Sequence, residues 1–212
     1  MTNKRTGAFI QLLYLMFNNR MEYELPEDKI PIFNSNFEKG NELADGLTII
    51  KGQGNPSLGF WNKRKAKKAI KHYSECLAMI PNHWQTNWLI AKVYQAMSEN
   101  KKALEHFEIA VKIEKINPDL PREASISAMD LGNVKLAAEY SQEAINREPN
   151  DAGLYCNHAV NLMVLGNDDE AKTYIERAME MKPSDEINKN AYSLINAVAA
   201  GKRKRPKFNE LN

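Results

Sequence analysis

Leu131-Gly132-Asn133-Val134-Lys135-Leu136-Ala137 is followed 34 residues later by Leu165-Gly166-Asn167-Asp168-Asp169-Glu170-Ala171. Each copy runs from an apolar residue through a glycine and a polar residue to an alanine set in a helical pattern. Glycine takes up the left-handed conformation in which one helix ends and another begins within a few residues. Ala69 and Ala103 extend the alanine series upstream at the same interval, and the residue seven places after each alanine is again small: Cys76, Ala110, Ala144 and Ala178. A fixed period of this length marks one stacked supersecondary unit, because a single unit cannot bury its apolar face and neighbours must bury it for one another.

Other offsets keep the same phase. Four residues after each alanine stand Tyr73, Phe107, Ser141 and Ile175, and twelve after it stand Pro81, Lys115, Pro149 and Pro183. Proline has no amide hydrogen and restricts its predecessor, so the second helix of most units stops there. The turn before the alanine is Met97-Ser98 in the earliest full copy. Each unit is therefore two helices joined by a tight turn. Helices approach to roughly 8–10 Å only where the side chains between them are short, which explains alanine in phase at the crossings. Alanine chosen only as a good helix former would be scattered without phase.

The pattern resembles the tetratricopeptide repeat, a 34-residue helix-turn-helix unit with small residues, an aromatic and a final proline at set places. Full units begin at Trp84, Pro118 and Ala152; the small residue of the first helix is Ala91, Ser125 and Ala159. The aromatic three residues on is Tyr94 but departs to Ala128 and Leu162, and the early tryptophan is replaced by Asn87, Pro121 and Tyr155. The resemblance covers about residues 62–200. It implies an all-α, right-handed solenoid of antiparallel helix pairs: an irregular first unit over 34–83, units over 84–117, 118–151 and 152–185, a capping helix over 186–200 and a basic tail over 201–212. The last helix has Ile187, Tyr192, Leu194, Ile195 and Val198 to close the stack, and Asn188, Lys189, Asn190, Ser193 and Asn196 for solvent.

Residues 1–33 form an N-terminal appendage. Ala8 to Phe17 is a run of about ten apolar residues behind Lys4 and Arg5, too short for the roughly 20 that span a bilayer. Three readings stand: a helix that docks on protein, including self-association or occupation of the chain's own groove through Phe9, Leu12, Leu13 and Met16; a secretion signal, although Asn18 to Met21 offers no small-residue cleavage site; and a membrane-surface anchor. Glu24-Leu25-Pro26 and Lys29-Ile30-Pro31-Ile32 read as an extended connector. From Asn34, the recurrence of Phe37, Gly40, Leu43, Ala44, Leu47 and Ile50 predicts a first helix, with its partner starting at Trp61 after a long glycine-containing loop over Lys51 to Phe60. Leu47 to Gly54 mimics a strand entering a phosphate-binding loop, but Gly59 is misplaced for it.

Composition fits a globular chain: 43% apolar and 26% charged residues in 212. Cys76 and Cys156 are too few for a disulfide framework, and Cys76 sits at a helix crossing, so structural thiols in a reducing, cytoplasmic compartment are expected. Catalytic signals are absent. His72, His83, His106 and His158 have no metal-ligand spacing, and no serine occupies a Gly-x-Ser-x-Gly elbow. His158 falls on an apolar position of a first helix and is expected to be a satisfied, partly buried histidine. Asp168-Asp169-Glu170 opens a helix, where negative charge complements the macrodipole. No enzyme activity, cofactor or metal is expected.

Surface remains. In tetratricopeptide proteins the first helices line the concave face, which by resemblance places there Gln85, Trp88, Lys92 and Gln95, then Asp119, Arg122, Ile126 and Met129, then Gly153, Cys156, Val160 and Met163. The family's clamp for a C-terminal carboxylate is mismatched at Trp88, Leu89 and Val160, whereas Trp88, Ile126, Met129, Val160 and Met163 suit an amphipathic helix or apolar peptide. Packing of some of these under a neighbouring helix is the competing explanation. The expected function is a protein-binding adaptor. Charge offers an alternative: net +5 over residues 1–115, −8 over 116–186 and +5 over 187–212. Lys63, Arg64, Lys65, Lys67, Lys68 and Lys71 crowd one helix, and Lys202, Arg203, Lys204, Arg205 and Lys207 form a tail. Such blocks contact nucleic acid or another polyanion, attract the chain's own acidic stretch or that of a second copy, or stay solvated. Aromatic residues to stack on bases are few: Trp61 and Tyr73 near the helix, Phe208 after the tail.

Overall fold

The computed structural model describes residues 24–47, 58–207 and 210. These residues form nine helices and no strand: α1 (Ile30–Ala44), α2 (Phe60–Met79), α3 (Trp84–Ala96), α4 (Asn100–Ile113), α5 (Asp119–Asp130), α6 (Val134–Arg147), α7 (Ala152–Leu165), α8 (Asp168–Met181) and α9 (Glu186–Ala199). Each helix packs on its neighbour in the chain, and α9 also packs on α7. The result is a ribbon of core running the length of an all-α solenoid.

The phased small residues lie where the helices cross. Ala69, Ala103, Ala137 and Ala171 have no exposed surface, and Cys76, Ala110, Ala144 and Ala178 are equally enclosed. So are Ala91 and Ala159 of the first helices, and Ser125 at the same place is buried as well. Tyr73, Phe107 and Ile175 fill the space between crossings.

The turns repeat at atomic level. Ser98, Gly132 and Gly166 have φ of 60°, 75° and 103°, in the left-handed region. In each turn the next amide closes a long bond back into the finished helix: Glu99 N–H to Tyr94 O, Asn133 N–H to Ala128 O and Asn167 N–H to Leu162 O, all at 2.9 Å. These bonds satisfy carbonyls that a helix end would leave without partners. Ser98 does glycine's work at a steric cost.

Lys115 replaces the terminal proline in one unit, and a different device ends α4. Arg147 of the next unit reaches back, its Nη1 donating to the carbonyls of Glu114 (3.0 Å) and Asn117 (2.9 Å) and its Nη2 to that of Val111 (3.2 Å). A buried cation at a helix C-terminus also complements the dipole.

The first unit departs from expectation at its start. Lys29 to Ile32 is not an extended connector, because α1 begins at Ile30 with Pro31 in its first turn. A proline there removes only an amide that has no intrahelical partner. The helix ends at Ala44 rather than continuing to Ile50; Leu47 is buried beyond it, and residues 48–50 lie outside the described residues. Residues 51–57 of the expected glycine-containing loop, and the apolar run Ala8 to Phe17, also lie outside. Helix α2 starts at Phe60, one residue before the predicted Trp61. Phe33 and Phe37 of α1 stack on each other and present their edges or faces to His83.

Candidate functional site

Helices α3, α5 and α7 carry the row of residues expected on the concave face. The structure divides that row. Gln95, Asp119, Arg122, Ile126 and Val160 are half-buried and Gly153 is exposed. Gln85, Trp88, Lys92, Met129, Cys156 and Met163 are buried, Met163 completely. Helix α3 is enclosed without a break from Trp84 to Val93, a helix buried on every side. The expected groove is thus closed at its α3 end, and Gln85, Trp88 and Lys92 contribute to packing there.

Lys92 resolves its burial by an ion pair. Its Nζ donates to Glu123 Oε2 at 3.0 Å and to Gln95 Oε1 at 2.9 Å, and both charged side chains are about as buried as the core. Gln95 Nε2 (3.3 Å) and Arg122 Nη2 (3.3 Å) complete the shell around Glu123. Burial pushes the Glu123 carboxyl up, but the Lys92 and Arg122 charges and the bonds from Lys92 and Gln95 outweigh it and hold it below its ordinary value. Arg122 also pairs with Asp119 at 2.9 Å. Nothing in the repeat pattern marks Glu123, whose partner is 31 residues away.

Between α5, α6, α7 and α9 lies a cleft of about 160 Å³. Ile126, Met129, Val160, Ile187 and Ala191 supply its apolar wall, with Arg122, Asn157 and Asn161 at polar points. Ile187 remains 73% exposed at its lip. Ser141, which replaces the bulky residue of the other units, is buried and lines the cleft. Its hydroxyl donates to Ala138 O at 3.1 Å and lies 2.7 Å from His158 Nδ1. The Ala137 carbonyl accepts from Ser125 Oγ (2.8 Å) and Asn161 Nδ2 (3.2 Å), which joins α5, α6 and α7 behind the cleft. Burial lowers His158 to about 4, so it is a neutral packing group with its ring edge-on to Tyr174.

The described residues offer no group of three or more His, Cys, Asp or Glu placed to hold a metal ion, and none of their helices is long and apolar enough to cross a membrane. Cys76 and Cys156 are free and buried, and burial raises both thiols, to about 12 and about 11. Neither is a poised nucleophile.

The two basic segments differ. Lys63, Arg64, Lys67, Lys68 and Lys71 on α2 are exposed, and none forms an ion pair with a described residue. In the tail Lys202, Arg203 and Lys204 are exposed, whereas Arg205 is half-buried and engaged within the chain. Its guanidinium forks onto Asp168, Nη1 to Oδ1 at 2.7 Å and Nη2 to Oδ2 at 2.9 Å, and Nη1 also donates to the Met163 carbonyl. The tail's arginine is drawn to the acidic opening of α8, with Pro206 buried beside it. Phe208 lies outside the described residues.

A family model of the tetratricopeptide repeat matches residues 152–185. No curated protein sequence matches significantly. Among solved structures, the MamA protein is similar with a TM-score of 0.65 at 16% identity, over 79% of this chain and 82% of that one. YrrB, described as a tetratricopeptide protein with an unusual peptide-binding site, gives 0.58 at 20% identity, over 71% and 77%. The first tetratricopeptide domain of Spaghetti (RPAP3), bound to an HSP90 peptide, gives 0.52 at 18% identity, over 55% and 93%. With the phased crossings, repeated turns and matched unit together, this chain carries a tetratricopeptide repeat at 152–185 and has the tetratricopeptide-repeat fold.

Proposed function

We propose that this protein is a non-enzymatic adaptor that binds a peptide or amphipathic helix in the cleft between α5, α7 and α9. The observation that carries this reading is the apolar cleft itself: Ile126 and Val160 half-buried on adjacent first helices, with Ile187 exposed at the lip. Apolar side chains left accessible beside a cleft mark an interaction site. Arg122 stands at the edge as the polar group that orients a ligand. A cavity of this size takes one or two apolar side chains, so an anchored helix or extended segment fits better than a ligand held by charge alone. Structures of similar fold support it, since RPAP3 and YrrB are described with a bound peptide and a peptide-binding site. Two free buried thiols agree with a reducing compartment such as the cytoplasm.

Selection of peptides from a random display library on the full chain tests this reading. Selected sequences should carry clustered apolar residues and lose at least tenfold in affinity to the Ile126→Glu/Val160→Glu variant, while far-UV circular dichroism stays unchanged. Peptides that bind that variant as well as the wild type would place the site elsewhere.

A further inference from the structure

Helix α2 presents an outward face unlike any other in the molecule. Phe60 and Trp61 are 68% and 76% exposed, the largest exposure of any large apolar side chain among the described residues apart from Ile116 and Ile187. Their rings meet edge to face at 5.6 Å, and the Arg64 guanidinium lies 5.9 and 5.8 Å from their centroids. Phe60, Arg64, Lys67 and Lys71 form one row along the helix, flanked by Lys63 and Lys68. Ala66, Ala69, Tyr73 and Cys76, on the opposite side, hold α2 to the core. The only acid on the helix, Glu75, comes one turn after Lys71. Five cations thus span about 12 Å of helix without an ion pair to any described residue, with an apolar wedge at one end.

We propose that this face docks on an anionic lipid surface, the cations against headgroups and Phe60 and Trp61 in the interface. Charge complementarity selects the partner. Lysine and arginine near an anionic bilayer gain Coulomb energy that aqueous surroundings would otherwise screen, and tryptophan with phenylalanine prefers the headgroup boundary. Cations and an apolar wedge are two signals acting together, which is what stable peripheral attachment requires. Nucleic acid fits less well. A single-stranded partner follows a groove with aromatic residues spaced along it, whereas these aromatic residues cluster at one end of a convex rod and Arg64 already lies against both rings.

The chain carries its own reporter, because Trp84 and Trp88 are buried and Trp61 is exposed. The test mixes the full chain with vesicles of phosphatidylcholine alone or with about 30% phosphatidylserine, at low and high salt, and follows sedimentation and tryptophan emission. The expected results are binding to the anionic vesicles only, loss at high salt, and a blue shift that disappears in Trp61→Phe. Replacing Lys63, Arg64, Lys67, Lys68 and Lys71 with Gln should weaken binding at least tenfold, and Phe60→Ser/Trp61→Ser should weaken it and abolish the shift. Lys202→Gln/Arg203→Gln/Lys204→Gln should leave binding unchanged. These side chains are exposed, so circular dichroism should show the fold retained; Lys67→Glu/Lys71→Glu provides a smaller change with the same expected direction. Absence of binding to anionic vesicles overturns the proposal. So does binding that survives the α2 changes and is lost with Leu12→Asp/Leu13→Asp, or charge-dependent binding to an oligonucleotide with no emission shift on vesicles.

Discussion

Ser141 Oγ and His158 Nδ1 stand 2.7 Å apart across the interface of α6 and α7. At the corresponding place the other units bury Tyr73, Phe107 or Ile175. A serine leaves room, and the histidine of the next helix fills part of it with a neutral ring. Ser141 also lines the cleft, so one small side chain in the repeat both borders the candidate site and brings a titratable group into the core.

That import has a pH signature. Burial lowers His83 and His158 to about 4 from the ordinary 6.5. His83 Nδ1 accepts from the Thr86 amide as the N-cap of α3, so a proton on that nitrogen breaks the cap. For a base whose folded value is depressed, the unfolded chain takes up protons first. Stability is therefore flat with respect to these groups above about pH 6.5, falls between 6.5 and 4, and levels below; each histidine accounts for about 2 kcal/mol by pH 5. Urea unfolding at pH 7 and pH 5 measures it, and His158→Asn should remove about half of the loss that His83 and His158 contribute, with His106, which burial also lowers, left in place. An unaltered difference between the two pH values in that variant would count against the buried neutral form.

The buried pair of Lys92 and Glu123 predicts a non-additive mutant series. Lys92→Met alone removes the nearest cation from a carboxylate with almost no solvent, leaving Arg122 and Gln95 at 3.3 Å as its remaining partners, and should cost about 3 kcal/mol. Lys92→Met with Glu123→Leu removes both charges and should recover most of that loss. Chemical denaturation of the two single variants and the double variant closes the cycle. A single-variant loss below about 1 kcal/mol would mean the pair behaves as if it were on the surface.

Gly40 lies inside α1, where alanine has the better intrinsic propensity, yet Gly40→Ala should destabilise. A Cβ there would stand 2.4 Å from Tyr73 Cε1 and 2.7 Å from Cδ1. The ring cannot easily retreat, since Tyr73 is fully buried and its hydroxyl donates to Asn41 Oδ1 at 2.8 Å. Overpacking should cost about 1–3 kcal/mol, more than the propensity gain of about 1 kcal/mol. Thermal unfolding of Gly40→Ala beside Gly40→Ala/Tyr73→Leu checks the cause, because the smaller side chain should relieve the clash.

Arg205→Gln should release the tail more than it destabilises the fold. Its bond to Asp168 holds that carboxyl below its ordinary value, but the two side chains are 35% and 27% exposed, and solvent screening limits the pair to about 1 kcal/mol or less. Limited trypsin digestion should cut faster at Lys202, Arg203 and Lys204 in the variant. Equal cleavage rates would show that Pro206 packing, not the ion pair, holds the segment.

The repeat was legible because its determinants are local or periodic. Ala69, Ala103, Ala137 and Ala171 show their role by spacing, and Gly132 and Gly166 show theirs because few other residues adopt a left-handed φ without strain. The start of α1 was harder to read, since Pro31 carries the same letter whether it blocks a helix or opens one.

Sequence alone determined the helix pairs, their turns and their stacking, since each follows from contacts repeated at a fixed interval along the chain. Tertiary structure decided which of the row from Gln85 to Met163 reaches solvent, that Lys92 meets Glu123, and that Arg205 folds back onto Asp168. Those outcomes depend on distances between side chains tens of residues apart and on the water excluded between them, and neither quantity is written in any one repeat.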